Sequence, residues 1–361
     1  MTYGPALAAG PPRHQRRGSR EPGERFLVRC RNRRASVCPA CSRLHAGDTF
    51  PPVRAGLLGG KNVPATVHHR PRLFVTLTAP SFGPVHRTGE FCRPRRDGRS
   101  CEHGRPLSCG TAHPSDAQVV GQPLCPDCYD YTAHVLWHGH ASRLWARFVI
   151  DVRRRLSSSV GLAQSRFAQH ARLSFARVAE YQRRAAVHIH AVVRLDGPAG
   201  PDDEPPVWAT TDLLINAVRA SARRVRLHTP HSPAVGDLVL RWGEQIDARP
   251  LHADGDGPDE DAVAAYVAKY IAKGAGETGA GLDHSLTTWT DIATAAVSTH
   301  VRSIMRTCRR LGGLPEYEPL RLRSWTHTLG YRGHILTIAA GIAEYLAMNR
   351  EITHEEREVS P

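Results

Sequence analysis

The stretch RLSFARVAEYQRRAAVHIHAVVRLD, residues 172–196, decides the fold class of this chain. Its two halves, 172–181 and 186–195, are rich in β-branched and aromatic residues, and a short turn around Arg183–Ala185 separates them. Asp196-Gly197 ends the second half, and the Pro- and acid-rich segment that follows is typical of a loop. The stretch therefore predicts two antiparallel strands joined by a tight turn.

Two histidines lie in the second of these strands. Because strand side chains alternate between the faces of a sheet, His188 and His190 share one face, while Val187 and Ile189 point to the core. Two imidazoles on one rigid strand could chelate a metal ion, although two half-buried histidines also occur on polar sheet faces by chance. The alternation alone leaves both interpretations open.

The length of the turn decides which residue of the first strand faces the histidines. With three residues in the turn, Glu180 lies directly across from His188 on the same face. It would add a carboxylate, the hard ligand that Mg²⁺ and Mn²⁺ prefer, to two nitrogen ligands. A shift of one residue in the pairing would remove Glu180 from the site. The predicted metal ligands are therefore His188, His190 and Glu180.

Further elements extend outward from this hairpin, and their patterns indicate a mixed α+β fold. They are a strand over 71–78, an amphipathic helix from Leu136 to Leu156, a helix near 210–224, a strand near 237–242, an alanine-rich helix over 261–273 and a mainly helical remainder to about residue 346. Trp137 and Trp145 lie on the apolar side of the long helix, so both are predicted to be core residues.

Four chemically active residues share one stripe of the alanine-rich helix. Tyr266, Lys269, Tyr270 and Lys273 are spaced i, i+3, i+4 and i+7. A tyrosine hydroxyl, with a pKa of about 10, needs a polarised target and nearby positive charge to act as a nucleophile. A metal ion on the target and a lysine one turn away would supply both. The alternative is an amphipathic helix with tyrosines packed at its border and lysines in solvent.

Eight of the nine cysteines lie in two short stretches, and only Cys308 stands apart. In a reducing compartment such clusters are typical of metal sites, although free or core cysteines are the alternative. The first cluster contains Cys30, Cys38 and Cys41, with His45 as a candidate fourth ligand.

The second cluster is predicted to form a zinc ribbon. Its predicted ligands are Cys101, Cys109, Cys125 and Cys128. Cys92 is then spare, while His103 and His113 are available as further ligands. Such sites stiffen loops that have no core of their own.

The charge of the chain favours a polyanionic partner. Forty-eight Lys and Arg against 34 Asp and Glu give a net charge of +14, and nucleic acid is the commonest partner of so basic a chain. A solvated basic surface is the alternative. No apolar run reaches the roughly 20 residues that span a bilayer, and no signal peptide is recognisable, so a cytoplasmic location without membrane contact is expected.

Three motifs together resemble those of rolling-circle replication initiators of the His-hydrophobe-His (HUH) endonuclease superfamily. They are FVTLTAPSFGPVH (74–86), AEYQRRAAVHIHAVVRLDG (179–197) and YVAKYIAK (266–273). With NRRASVCPAC (32–41), the chain is most similar to the replication initiators of actinomycete plasmids, over about residues 25–335. That family continues upstream of residue 1, and its basic segment after Gly330–Thr337 is replaced here by IAAGIAEY.

The resemblance implies a ferredoxin-like core with a central antiparallel sheet, in which the two histidines hold Mg²⁺ or Mn²⁺. It further implies that a tyrosine attacks origin DNA, single-stranded at the nick, giving a 5′-phosphotyrosyl link and a free 3′-OH. Tyr266 and Tyr270 could both be nucleophiles, or Tyr270 alone. A host helicase and polymerase would be the other partners. The arginines expected to contact DNA are Arg33, Arg34, Arg309 and Arg310.

The predicted organisation follows the motifs. It comprises a disordered basic arm (1–24), a zinc-knuckle-like segment (25–60), a nicking domain (61–274) with a Cys-rich insertion (91–130), a helical basic C-terminal region (275–346) and a polar tail (347–361). Three other functions stay open: a non-catalytic zinc-containing DNA-binding regulator, a relaxase or transposase of the same superfamily, and, more distantly, a nucleotide hydrolase. A covalent protein–DNA adduct would separate the nicking enzymes from the regulator.

Overall fold

The computed structural model describes residues 38–60, 63–94, 97–251, 263, 285–332 and 336–339 of the chain. The predicted arm (1–24), the helix over 261–273 apart from Val263, and the tail (347–361) lie outside the described residues.

The described residues form five helices and seven strands. In chain order they are α1 (Pro39–Leu58), β1 (Arg72–Thr78), α2 (Tyr131–Ser159), β2 (Arg172–Tyr181), β3 (Val187–Asp196), α3 (Thr211–Arg224), β4 (Leu227–His228), β5 (Val239–Leu240), β6 (Ile246–Pro250), α4 (Trp289–Thr294), α5 (Thr299–Leu311) and β7 (Leu336–Ala339). Short 3-10 turns lie at Ala65–His69, Gln164–Gln169, Pro315–Leu320 and Thr326–Thr328. The predicted α+β class is confirmed.

A central antiparallel sheet organises these elements. Its strand order is β6-β1-β3-β2-β7, and each neighbouring pair is antiparallel. Helix α2 connects β1 to β2 with β3 between them, and α3 lies on the connection from β3 to β6 with β1 between them. Two split β-α-β units therefore interlock, and β3 lies in the middle of the sheet.

The β2–β3 hairpin has the predicted register. Glu180 pairs with His188 across the two strands. The turn is closed by the Gln182 N–H, which donates to the Ala186 carbonyl at 2.9 Å, and by the Ala185 N–H, which donates to the Gln182 carbonyl at 2.8 Å. Ala185 has φ 61°, the left-handed conformation that lets so short a turn reverse the chain.

One face of the sheet packs on α2 and α3, and the apolar alternation of β1 and β3 supplies that face. Leu73, Leu77 and Ile189 are fully buried there. Trp137 and Trp145 of α2 lie in the same core, as predicted. Helix α2 begins where the Asp130 carboxylate accepts the Ala133 N–H at 2.7 Å, an N-cap that fixes its start.

The C-terminal part of the described chain differs from the predicted helical region. Helices α4 and α5 form, but Leu336–Ala339 is a strand, β7, that pairs with β2. Helix α5 buries Val301, Ile304 and Cys308 in the same core as the sheet. The region joins the main core because α5 is apolar along one side and the outer edge of β2 offers free backbone groups.

Helix α1 also differs from the sequence prediction, which placed a zinc-knuckle-like turn in this segment. The helix starts at Pro39, with Cys38 at its N-cap position. Proline suits the first helical turn because the N–H that it lacks has no partner there.

A buried charge network joins the end of α1 to the far end of the sheet. Arg72 donates to the Leu57 carbonyl at 2.6 Å, and Arg194 donates to the Gly56 carbonyl, so the last turn of α1 has partners for its free carbonyls. The Asp196 carboxylate accepts from Arg194 Nε at 2.7 Å. Both arginines are thereby held without solvent.

Candidate functional site

The two predicted metal-binding histidines lie on the sheet face opposite α2 and α3. His190 is held from both sides: its Nδ1 is 3.0 Å from Thr76 Oγ1 on β1, and its Nε2 is 3.1 Å from Glu180 Oε2 on β2. Phe74 stacks on the same ring with centroids 5.9 Å apart. The central position of β3 thus gives His190 contacts from both neighbouring strands.

His188 is half-buried, and its Nε2 is buried without a hydrogen-bond partner among the described residues. Burial lowers the pKa of His188 to about 3, and the nearby charges of His190 and Arg184 add to that effect. The imidazole is therefore neutral, which is the form that binds metals. Its ring centroid lies 6.0 Å from that of His190.

The three predicted ligands fit a divalent cation in chemistry but are not fully assembled around one. The unpartnered Nε2 of His188 and the carboxylate of Glu180 are suitable donors. However, the ligand atoms of His188, His190 and Glu180 do not all lie within 4.8 Å of one another. Among the described residues, two other groups of potential ligands meet that spacing. A cation held by all three would draw these side chains closer together.

Two further polar residues on this face were missed by the sequence analysis. Thr76 orients His190 through Nδ1, and it could have been noticed from the alternation of 71–78. Asp247 on β6 pairs with Thr76 across the strands and so lies on the same face. No periodic signal marks β6, because it is five residues long and ends in Pro250.

The predicted nucleophile helix can be placed at one residue only. Val263 is helical and buried, whereas Tyr266, Lys269, Tyr270 and Lys273 lie outside the described residues. Their roles stay predictions.

The Cys-rich insertion (91–130), together with His86 shortly before it, contains two groups of four ligands, and they differ from the predicted zinc ribbon. His86, Cys92, Cys109 and His113 form one group. Cys101, His103, Cys125 and Cys128 form the other. The predicted set of Cys101, Cys109, Cys125 and Cys128 is therefore corrected, since Cys109 belongs to the first group and Cys92 is not spare.

The remaining predicted cysteine site is only partly described. Cys38 and Cys41 are half-buried at the start of α1. Cys30 lies outside the described residues, as does the side chain of His45. The site stays a prediction.

A basic surface surrounds the end of α5. Arg306 and Arg310 on the helix are exposed, as are Arg321 and Arg323 in the segment that follows it. The Arg309 guanidinium lies over the ring of Trp289, 5.5 Å from its centroid, and that ring is 55% exposed. Arginines beside an exposed aromatic ring could contact phosphates and bases together. Arg33 and Arg34 lie outside the described residues.

None of the helices in the described part of the chain has the length and apolar character needed to cross a bilayer.

Comparisons with known proteins identify the family. A family described as "Replication initiator protein, pSAM2" matches residues 7–341. A replication initiator protein of Streptomyces ambofaciens is 44% identical over 320 residues, which cover 87% of this chain and 66% of that protein. The chain thus spans slightly less than two thirds of that relative's length. No solved structure matches the chain. The chain belongs to the pSAM2-type family of replication initiator proteins.

Proposed function

We propose that this chain nicks the origin DNA of its replicon by a metal-dependent tyrosine transesterification, as an HUH-type initiator of rolling-circle replication. The observation that carries the proposal is the His188–His190 pair on the central strand, with Glu180 of the neighbouring strand 3.1 Å from His190 Nε2. The interlocked strand order β6-β1-β3-β2 supports a ferredoxin-like core. Membership of a replication initiator family supports the biological role.

Each residue of this face would have a defined task. If Thr76 accepts the Nδ1–H of His190, Nε2 of that ring carries the lone pair that would bind a cation. His188 offers a neutral ring with an unpartnered Nε2, and Glu180 adds a carboxylate. A bound Mg²⁺ or Mn²⁺ would polarise the scissile phosphate. The contacts of His190 with Thr76 and Glu180 would hold its ring in position for this task.

The proposed nucleophile comes from the predicted helix 261–273. The hydroxyl oxygen of Tyr266 or Tyr270 forms a bond to phosphorus, the bond to the 3′ oxygen breaks, and that oxygen takes up a proton. One phosphodiester is exchanged for another, so the reaction needs no nucleotide hydrolysis. The positive charges of Lys269 and Lys273 would stabilise the negative charges of the tyrosinate and of the phosphate.

The proposal is tested by trapping the covalent adduct. The chain is incubated with Mn²⁺ and labelled single-stranded fragments that tile its own replicon, and adducts are resolved on a denaturing gel. We expect an adduct with the natural sequence, and a decrease of more than about 100-fold in His188→Ala and His190→Ala, because both variants lose a metal ligand. DNA binding measured in parallel should change little, since neither histidine is a phosphate contact.

The control variant is His231→Ala, which removes an exposed histidine that pairs with Asp237 at 2.9 Å. It should form the adduct normally. The double variant Tyr266→Phe/Tyr270→Phe should form none. Adduct in both single Phe variants would indicate two nucleophiles, whereas loss of adduct in Tyr270→Phe alone would indicate that Tyr270 is the single nucleophile. An adduct of normal yield in His188→Ala and His190→Ala would contradict the metal-site proposal.

A non-catalytic DNA-binding regulator is the second candidate, because the three ligand atoms of the histidine face are not assembled within 4.8 Å. It predicts sequence-specific binding without any adduct on the same gel. A relaxase or transposase shares the chemistry, but the family match favours an initiator.

A further inference from the structure

The Cys-rich insertion has almost no apolar core of its own. Among the described residues from His86 to Val120, Cys92 is the only one that is buried. A segment of that length cannot offset its loss of conformational entropy by hydrophobic burial. Small segments of this kind are usually held by disulfides or metals. Every described cysteine of the insertion is a free thiol.

Backbone pairing brings distant ligands of the insertion together. Segment 89–93 runs antiparallel to 109–113: the Arg93 N–H donates to the Cys109 carbonyl at 2.7 Å, and the reverse bond is 2.9 Å. This pairing places Cys92 beside the Cys109–His113 segment. A second tight loop is closed by the Cys101 N–H, which donates to the Arg105 carbonyl at 2.8 Å.

The ligand atoms of the first group already have the spacing of a tetrahedral site. His86 Nδ1 is 3.2 Å from His113 Nε2 and 3.6 Å from Cys92 Sγ, and Cys109 Sγ is 3.3 Å from His113 Nε2. Ligands at zinc-bond lengths on the corners of a tetrahedron are about 3.3–3.8 Å apart. In the second group His103 Nδ1 is 3.2 Å from Cys128 Sγ.

We propose that residues 86–128 fold around two zinc ions whose ligand pairs interleave along the chain. The first ion takes His86 and Cys92 together with Cys109 and His113. The second takes Cys101 and His103 together with Cys125 and Cys128. The first set has two thiolates and two imidazoles, and the second has three thiolates and one imidazole. Both are closed sets of four donors that select zinc. The proposal does not depend on nicking activity.

Interleaving couples the two sites to each other. The segment between the two ligand pairs of one site carries a ligand pair of the other site. When either ion is released, the chain segment that it held becomes a longer free loop, which the remaining ion must close on its own. The closed loops are entropically costly without metal. We therefore expect the loss of one ion to weaken the binding of the second.

The insertion is also attached to the hairpin that carries the histidine pair. Arg183, in the β2–β3 turn, donates to the Ala117 carbonyl at 3.2 Å. Gly121, at φ 90°, packs so closely on this turn that a Cβ would lie 2.4 Å from the Arg183 carbonyl carbon. The zinc-bound loops would therefore support the turn from outside the main core.

The test is the zinc content of the full chain, measured by mass spectrometry after removal of loosely bound metal. His86→Ala and His113→Ala should each lose at least about one zinc ion per chain relative to the natural sequence. His113→Cys should retain it, because a thiolate can replace the imidazole. His231→Ala, on an exposed loop, should match the natural sequence.

A Cys₄ site made by Cys101, Cys109, Cys125 and Cys128 would predict a different result. In that case His86→Ala and His113→Ala would keep their full zinc content, and the proposal would be overturned. Cobalt substitution gives a second readout that does not require the alanine variants to fold. The thiolate-to-cobalt absorption band should correspond to two thiolates at the first ion and three at the second in the interleaved arrangement, and to four at a single ion in the alternative.

Discussion

Asp196 holds two buried arginines at one end of the sheet. Its carboxylate lies 2.7 Å from Arg70 Nη1 and 2.7 Å from Arg194 Nε, and Ser174 Oγ donates to it at 2.5 Å. We expect Asp196→Asn to lower the free energy of unfolding by about 3–5 kcal/mol. The buried guanidinium of Arg194 then loses this counter-charge, and that of Arg70 keeps only Glu204, a mostly exposed carboxylate 3.7 Å away. Denaturant unfolding measures this change.

The matched control for this prediction is Asp202→Asn, which changes an exposed carboxylate of the adjoining loop. It should alter the free energy of unfolding by less than about 0.5 kcal/mol. A comparable effect of the two substitutions would show that the network contributes little.

At the residue scale, alternation and turn length predicted much of the histidine face. The period of two placed His188 and His190 on one face, and the short turn paired Glu180 with His188. The contact of Glu180 with His190 was not predictable, because a diagonal contact depends on side-chain direction and not on register. His86 was missed, and His113 was considered only as a further ligand of the predicted ribbon, since local spacing does not reveal the pairing of 89–93 with 109–113.

At the element scale, α5 combines a buried apolar side with an exposed basic side. Arg306 and Arg310 lie one turn apart and are exposed. If this side contacts DNA phosphates, the double variant Arg306→Gln/Arg310→Gln should reduce the magnitude of the slope of log affinity against log salt concentration by about 1.4–1.8. The reason is that two fewer phosphates are neutralised, so fewer counterions are released on binding. Fluorescence anisotropy with origin fragments at several salt concentrations measures the slope.

The control for α5 is Arg166→Gln, on the exposed 3-10 turn Gln164–Gln169. It should leave the slope unchanged. An unchanged slope in the α5 double variant would place the DNA interface elsewhere on the chain.

Elements with a strong apolar period were predicted well, and the others were not. Helix α2 has that period and a capping aspartate, Asp130, and its predicted span lies within the observed one. Helix α1 was missed because its sequence contains adjacent prolines, Pro51 and Pro52, which disfavour a helix interior. Strand β7 was missed because its four residues form a strand only through pairing with β2.

At the scale of the whole molecule, a cluster of neutral histidines connects α2, the β2–β3 turn and α5. His134 Nε2 lies 3.3 Å from His138 Nε2, and His138 Nε2 accepts the Val187 N–H at 3.1 Å. His300 Nε2 donates to the Arg184 carbonyl at 3.1 Å. Burial lowers the pKa of His138 and of His300 to about 4, and it lowers that of His134 well below its ordinary value of 6.5.

These pKa values predict a loss of stability in acid. Each folded-state pKa lies below the ordinary value of 6.5, so the unfolded chain binds protons first as the pH falls. Above about pH 6.5 the free energy of unfolding should be nearly constant, and between pH 6.5 and 4 it should fall by about 1.4 kcal/mol per pH unit for each of these histidines. Denaturant unfolding at pH 7.5 and pH 5 measures the decrease.

Other acid-sensitive groups, including the proposed zinc ligands, contribute to the same decrease, so variants are compared with the natural sequence. His300→Gln can keep the hydrogen bond to the Arg184 carbonyl without titrating. Its free energy of unfolding should therefore decrease less steeply with falling pH than that of the natural sequence. The free energy of unfolding of His231→Gln, a variant at an exposed position, should decrease with falling pH as steeply as that of the natural sequence. Equal pH dependence in all three chains would refute the assignment to the buried cluster.

The place of β7 in the sheet has a consequence for how the chain folds as it is synthesised. The four strands of the two split units are complete at residue 250, but β7 begins at residue 336, which is 86 residues later. Until those residues leave the ribosome, the outer edge of β2 has no partner from β7. An unpaired edge strand is the part of a nascent sheet that joins wrongly with other chains. The growing polypeptide therefore passes through an interval in which a chaperone at this edge would improve the yield of correctly folded initiator.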